Sequence, residues 1–176
     1  MIRPDGDCRL CRLCEGRTQV VYPDGDYDAK VVFVGEGPGE NEDVQGRPFV
    51  GKSGKILADA MESAGFGRKD VLITNTVKCR PPGNRDPKPD EMEACRPFLE
   101  SELKGRGLVV CLGRSAIRDL LGFEGKMSEI ANRVVEKEMG GETVRFLPTY
   151  HPAATIYNRE ARTALRDAMV IVKEYL

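Results

Sequence analysis

Four short runs of apolar, largely β-branched residues punctuate the chain: Lys30–Gly35 (KVVFVG), Val71–Asn75 (VLITN), Leu108–Gly113 (LVVCLG) and Val144–Thr149 (VRFLPT). The first three are nearly continuous in apolar character, which predicts strands covered on both faces. Between them the period changes. Lys55–Ala64 sets Ile56, Leu57, Ala60, Met61 and Ala64 on one stripe, the mark of a helix with a single buried face. Lys88–Leu103 opens with Pro89, Asp90 and Glu91, residues suited to a helix start, and its Pro97 predicts a kink or a restart. Ser115–Leu121 and Arg159–Tyr175 supply two more helices. The alternation predicts an α/β fold, three-layer α/β/α, with a four-stranded, mainly parallel central sheet. No repeat, low-complexity tract or charge block divides residues 1–176, so one domain with a short N-terminal extension is expected.

That architecture says where to look for chemistry. Open parallel sheets bind ligands at the carboxyl ends of their strands. The residues at those ends are Gly35–Gly39 (GEGPG), Asn75, Gly113–Arg114 and His151–Pro152, and all four are expected on one edge. The edge would then carry the single histidine of the chain.

Composition narrows the class. With 40% hydrophobic and 31% charged residues, the chain matches neither a disordered nor a membrane-embedded protein. No stretch approaches the roughly 18 apolar residues of a membrane span, and Met1–Asp7 lacks the apolar core of a secretory signal. The expectation is a cytoplasmic protein with reduced thiols, no membrane partner and a monomeric state. Six cysteines in that setting point to metal or catalysis before disulfides. The net charge of −1 argues against nucleic acid when taken globally, yet the charge is unevenly spread. Lys78, Arg80, Arg85 and Lys88 stand against Asp86 alone, and Arg47, Lys52 and Lys55 follow one another with no acid between them. Local basic patches of this kind can track a phosphate backbone.

Cys8, Cys11 and Cys14 read C-x2-C-x2-C in a polar segment with no core to hide thiols, and paired cysteines at this spacing favour a soft metal. Cys79 and Cys95 border the Pro-rich loop 81–89 and form the natural second pair, whereas Cys111 reads as a core-strand residue. Spacing leaves zinc and an iron–sulfur cluster both open. Gly46–Ser53 (GRPFVGKS) fits the phosphate-loop pattern, but it follows a polar stretch rather than a buried strand, and Pro48 removes an N–H from the cradle. A nucleotide hydrolase is therefore disfavoured. Within Gly35–Gly54, Glu36, Glu40 and Glu42 place carboxylates where a water could be activated, and Phe49 offers a face for a planar ligand.

Together the segments Cys8–Thr18, Val34–Gly54 (VGEGPGENEDVQGRPFVGKSG), Ile73–Pro82 with Asn84–Arg85, Val110–Arg114 and Tyr150–Ala153 (YHPA) resemble the type-4, iron–sulfur uracil-DNA glycosylases. The resemblance implies hydrolysis of the N-glycosidic bond of uracil in DNA, the first step of base-excision repair. By position it implies a structural 4Fe–4S cluster on Cys8, Cys11, Cys79 and Cys95, with Cys14 outside the ligand set. It implies uracil binding by Glu36, Gly37, Pro38, Phe49 and Asn75, with Glu42 positioning water and His151 beside the leaving base. Ile156 or Tyr157 would fill the gap left in the helix by the flipped base. A non-catalytic, metal-stapled nucleic-acid-binding module is the alternative from another class.

Overall fold

The computed structural model describes residues 1–176. Its strands are β1 (Asp24–Gly25), β2 (Val31–Gly35), β3 (Leu72–Asn75), β4 (Leu108–Leu112), β5 (Val135–Met139) and β6 (Glu142–Thr149). Its helices are α1 (Glu40–Gln45), α2 (Lys52–Ser63), α3 (Pro89–Leu103), α4 (Arg114–Leu121), α5 (Met127–Ile130) and α6 (Arg159–Lys173). The strands form one mixed sheet in the order β1-β3-β2-β4-β6-β5, with the inner four parallel and both edges antiparallel.

The expected four-stranded sheet is therefore corrected to six strands. The two additions are edges that a search for apolar runs passes over. Strand β5 exposes Glu136, Lys137 and Glu138, and it reaches β6 through Gly140 and Gly141, whose φ values of 60° and 82° suit a tight hairpin. A charged edge strand also resists pairing with other chains. Strand β1 has two residues, too few to show any period. A second correction concerns α3, which neither breaks nor restarts at Pro97. Buried Cys95, Phe98, Leu99 and Leu103 hold the turns on either side, and their packing outweighs the hydrogen bond lost at the proline.

The inner strands read as they pack. Along β2 alternate residues serve opposite faces, as a period of two requires. Val31 and Phe33 join Leu57 and Met61 of α2 and Leu165, Met169 and Val172 of α6. Val32 and Val34 join Leu99 and Leu103 of α3 and Ile117 and Leu120 of α4. Cys111 lies in this second core, wholly buried, and burial pushes its thiol far above the ordinary range. No helix is long and apolar enough to cross a membrane.

The chain runs from β2 outward to β3 on one side and to β4 on the other, so strand order reverses between β2 and β4. Register aligns the strand ends there: Gly35 opposite Asn75, and Leu112 opposite Thr149. The loops leaving β2, β3, β4 and β6 thus converge on one edge.

Candidate active site

A cavity of about 140 Å³ opens at that edge, lined among others by Glu36, Gly37, Pro38, Glu42, Phe49, Asn75 and His151. All seven residues singled out for base binding and catalysis are brought together around it. Its volume is well below the roughly 300–1,000 Å³ of a pocket for a drug-sized ligand, and it suits one small heterocycle.

Two glycines make the approach possible. A Cβ at Gly35 would lie 2.5 Å from Asn75 Oδ1 and 2.6 Å from the Phe49 ring, so both side chains meet over a residue that must have none. At Gly54 a Cβ would fall 1.8 Å from the Phe49 carbonyl oxygen. Phe49 itself has φ 51°, a left-handed conformation rarely adopted by a bulky residue. Arg68 holds it there. The guanidinium donates to the carbonyls of Pro48 and Phe49, each at 2.7 Å, and pairs with Asp24 at 2.9 Å. Burial would raise the Asp24 carboxyl, but hydrogen bonds from Arg47 and Arg68 outweigh it and bring the group below its ordinary value.

Asn75 ends β3 and is 4% exposed. Lys78 donates to its backbone carbonyl, while its amide head faces the cavity. His151 follows β6, and its ring lies 5.8 Å from that of Phe49 with the planes inclined by 30°. Its Nδ1 accepts from the Ala153 N–H at 3.1 Å, which leaves Nε2 to carry the proton. Burial lowers the His151 pKa and favours the neutral ring. Gly113, at φ 90°, faces the histidine so closely that a Cβ there would lie 2.9 Å from His151 Cβ.

The carboxylates divide. Glu42 projects from α1, a short helix absent from the four that the periodicity predicts, and faces Gly39 and Gly51. Glu36 accepts a 2.5 Å hydrogen bond from the Ser115 hydroxyl. Burial and the neighbouring Asp86 raise its pKa, while Ser115 and Arg118 oppose them.

The remaining lining residues include Ser53, Pro81, Asn84 and Arg85, none of which the sequence assigns to the pocket. Asn84 has φ 56°, and Arg80 Nε donates to its side chain at 2.7 Å. The turn signature Pro81-Pro82-Gly83-Asn84 marks such a loop tip, although nothing local says that it folds over the β2 edge. Of the two wedge candidates, Tyr157 is 93% exposed and Ile156 is half-buried.

The cysteines outside the core share one neighbourhood. Cys79 and Cys95 pack with Leu13, Val20, Val77 and Met92, with Cys11 alongside. Burial raises the Cys95 and Cys11 thiols, and Cys8 lies near enough to both, as Cys14 does to Cys11, for a thiolate there to raise them further. Arg17 donates to the Cys8 carbonyl at 2.6 Å and to Cys79 Sγ at 3.5 Å. Burial nevertheless pushes the Cys79 thiol up to about 11. No three histidine, cysteine, aspartate or glutamate side chains gather closely enough to hold a single metal ion.

Comparison with known proteins gives a consistent picture. The family profile described as the uracil DNA glycosylase superfamily matches residues 22–171. A type-4 uracil-DNA glycosylase of Archaeoglobus fulgidus is 42% identical over 168 residues, which cover 92% of this chain and 84% of that protein. One of the same type from Thermotoga maritima is 41% identical over 155 residues, 86% of this chain and 79% of its own length. A type-5 uracil-DNA glycosylase of Thermus thermophilus is 34% identical over 155 residues, 67% of this chain and 69% of that protein.

Proposed function

This chain belongs to the uracil-DNA glycosylase superfamily, with the type-4 enzymes, and hydrolyses uracil from DNA; from that premise we propose a role for each group in the pocket. The observation that carries the assignment is the Asn75 amide, buried at a strand end with its head turned to the cavity. A base inside a duplex must leave the stack before any of these groups can touch it. Once flipped, uracil lies against Phe49, with Glu36, Gly37 and Pro38 along its edge. The Asn75 amide accepts from N3–H and donates to O4. Cytosine presents the reverse pattern and leaves both amide groups unpaired, a mismatch that supports discrimination of about 10⁴-fold.

Breaking the glycosidic bond moves negative charge onto the base, chiefly O2. His151 Nε2–H is aimed at that developing charge as a neutral donor. Glu42 holds the attacking water and offsets positive charge on the sugar. Glu36, whose carboxyl keeps its proton more readily than an ordinary glutamate, serves the base edge rather than the water.

Cys8, Cys11, Cys79 and Cys95 are assigned to a 4Fe–4S cluster. A single tetrahedral ion needs its sulfurs about 2.3 Å from one centre, whereas a cluster takes one cysteine per iron and spreads them. Cys79, Cys95 and Cys11 share one neighbourhood with Cys8 near Cys11 and Cys95, which supports a common site, and the likeness to the type-4 enzymes favours the cluster over zinc. The cluster would supply a rigid staple between the N-terminal segment and the loop beginning at Cys79. Loading must displace thiol protons, since burial keeps Cys79 protonated at neutral pH. Action as a cytoplasmic monomer is part of the same proposal.

The test compares the protein and Asn75→Asp on otherwise identical strands carrying uracil or cytosine, with alkaline cleavage of abasic sites. Asn75→Asp should lower the uracil-over-cytosine preference by about 10²-fold or more. Preserved discrimination in that variant would place the reading edge elsewhere.

A further inference from the structure

Lys78 opens the basic run Lys78–Lys88, yet it is 1% exposed. Its ammonium spends all three of its donors inside the protein, each at 2.7 Å: on Thr74 Oγ1, on Glu102 Oε2 and on the backbone carbonyl of Asn75. Thr74 also donates to Glu102 Oε2 at 2.8 Å, which closes a three-membered buried network between β3 and α3. A buried ion pair is a poor stabiliser compared with apolar groups of the same size. What distinguishes this one is the third bond.

The carbonyl that Lys78 grips belongs to the same residue whose amide faces the cavity. The next peptide N–H, from Thr76, donates to the Gly35 carbonyl at 2.9 Å. The peptide plane between Asn75 and Thr76 is therefore held on one side by Lys78 and on the other by β2. The Asn75 side chain then packs where Gly35 lacks a Cβ. With the backbone clamped and one wall fixed, little rotational freedom remains to the amide. No hydrogen bond within the protein is required to orient its head, so the head stays free for a ligand.

We propose that Lys78, held by Glu102 and Thr74, is the positioning residue for the base-reading amide of Asn75. The inference rests on the assignment of Asn75 to uracil. It also gives the loop a second task, because Lys78 is followed directly by Cys79 and its carbonyl accepts from Val21 at 2.7 Å. The ammonium anchors the exit of β3 whatever the neighbouring cysteine holds.

The experiment measures binding of free uracil by calorimetry, with kcat and KM on a U·G duplex beside it. Lys78→Met with Glu102→Gln removes both charges at once and leaves no unpaired ion in the core. Thr74→Val keeps the ion pair but withdraws the hydroxyl, and it decides the question alone if the double variant does not fold. The double variant should weaken uracil binding about tenfold, with Thr74→Val about threefold, because misplacing a group by a fraction of an ångström suffices. The loss should fall on kcat, with KM for DNA nearly unchanged. A purely structural role would lower the melting temperature and leave uracil binding alone. Uracil binding unchanged in these variants, while Asn75→Asp weakens it, overturns the proposal for Lys78. If Asn75→Asp also binds uracil as before, the assignment of Asn75 itself has failed.

Discussion

His151 lines the cavity with a ring whose proton is placed by its neighbours. The Ala153 N–H occupies Nδ1, and burial disfavours a second proton. The folded protein thus resists protonation below the ordinary histidine value of 6.5, whereas the unfolded chain takes the proton up there. The residue therefore costs stability as the pH falls below 6.5 and costs none above it. The same reasoning bears on rate. If the donor is neutral Nε2–H, the contribution of His151 to kcat stays level from about pH 6.5 to 8, the range above the usual histidine pKa. A rate that instead falls as the pH rises through this range in single-turnover profiles would identify imidazolium as the active form. Deleting the donor in His151→Ala should slow uracil release by about 10²–10³-fold, the usual cost of one donor to a developing oxyanion. DNA affinity, read by fluorescence anisotropy, should change little.

The segment from β2 to α2 acts as one element, and its shape depends on what it omits. Phe49 occupies a strained left-handed conformation because Arg68 grips its carbonyl and Gly54 leaves room for that carbonyl. Gly54→Ala forces a methyl group into backbone oxygen, where no rotamer can relieve it. The expected cost is roughly 1–3 kcal/mol in urea unfolding, typical of overpacking. Uracil affinity should fall further than stability alone explains, because the ring moves with its carbonyl. A Gly54→Ala protein with unchanged unfolding and unchanged uracil binding would show that the loop has another resting shape. These relations also mark how far sequence reaches. Buried strands such as Val31–Gly35 declare themselves, since both faces are apolar, and the strand ends then point to Glu36, Asn75 and His151. Strand β5 stays hidden because an edge needs little apolar surface. Lys78 is misplaced because a charge in a sequence carries no mark of burial until Glu102, in another element, is seen beside it. Asn84 and Arg85 are held by local bonds to Arg80 and Glu91, but they enter the pocket only because Pro81 and Pro87 of their loop lie over Gly37, a neighbour distant in sequence.

At the scale of the molecule, the basic footprint is thinner than the residue count suggests. Lys78, Arg85, Arg47 and Lys55 are taken up by Glu102, Glu91, Asp24 and Asp59. Lys52, Arg80 and Lys88 remain outside these pairs, so a shallow dependence of DNA binding on salt is expected. Shape must then carry more of the recognition, and shape depends on how the N-terminal segment is secured. The two main cores each comprise 16 buried residues, and Cys111 is the one cysteine in either. Cys79 and Cys95, with Cys11 packed against them, belong to a smaller cluster that joins Leu13 and Val20 to Val77. Val77 in turn lies beneath the pocket, where a Cβ on Gly37 would come within 2.8 Å of it. Loss of the proposed cluster should therefore leave the sheet intact while loosening both the N-terminal segment and one wall of the site. In Cys79→Ser, iron content should collapse, far-ultraviolet dichroism should hold, and proteolysis within residues 1–20 should accelerate by about tenfold or more, as local opening replaces global unfolding. Uracil binding should weaken in parallel through Val77. Cys111→Ala supplies the contrast, since it should keep its iron and lose only core stability. Should Cys79→Ser keep its iron and its protected N-terminus, the staple is built from other thiols, with Cys14 the next to replace.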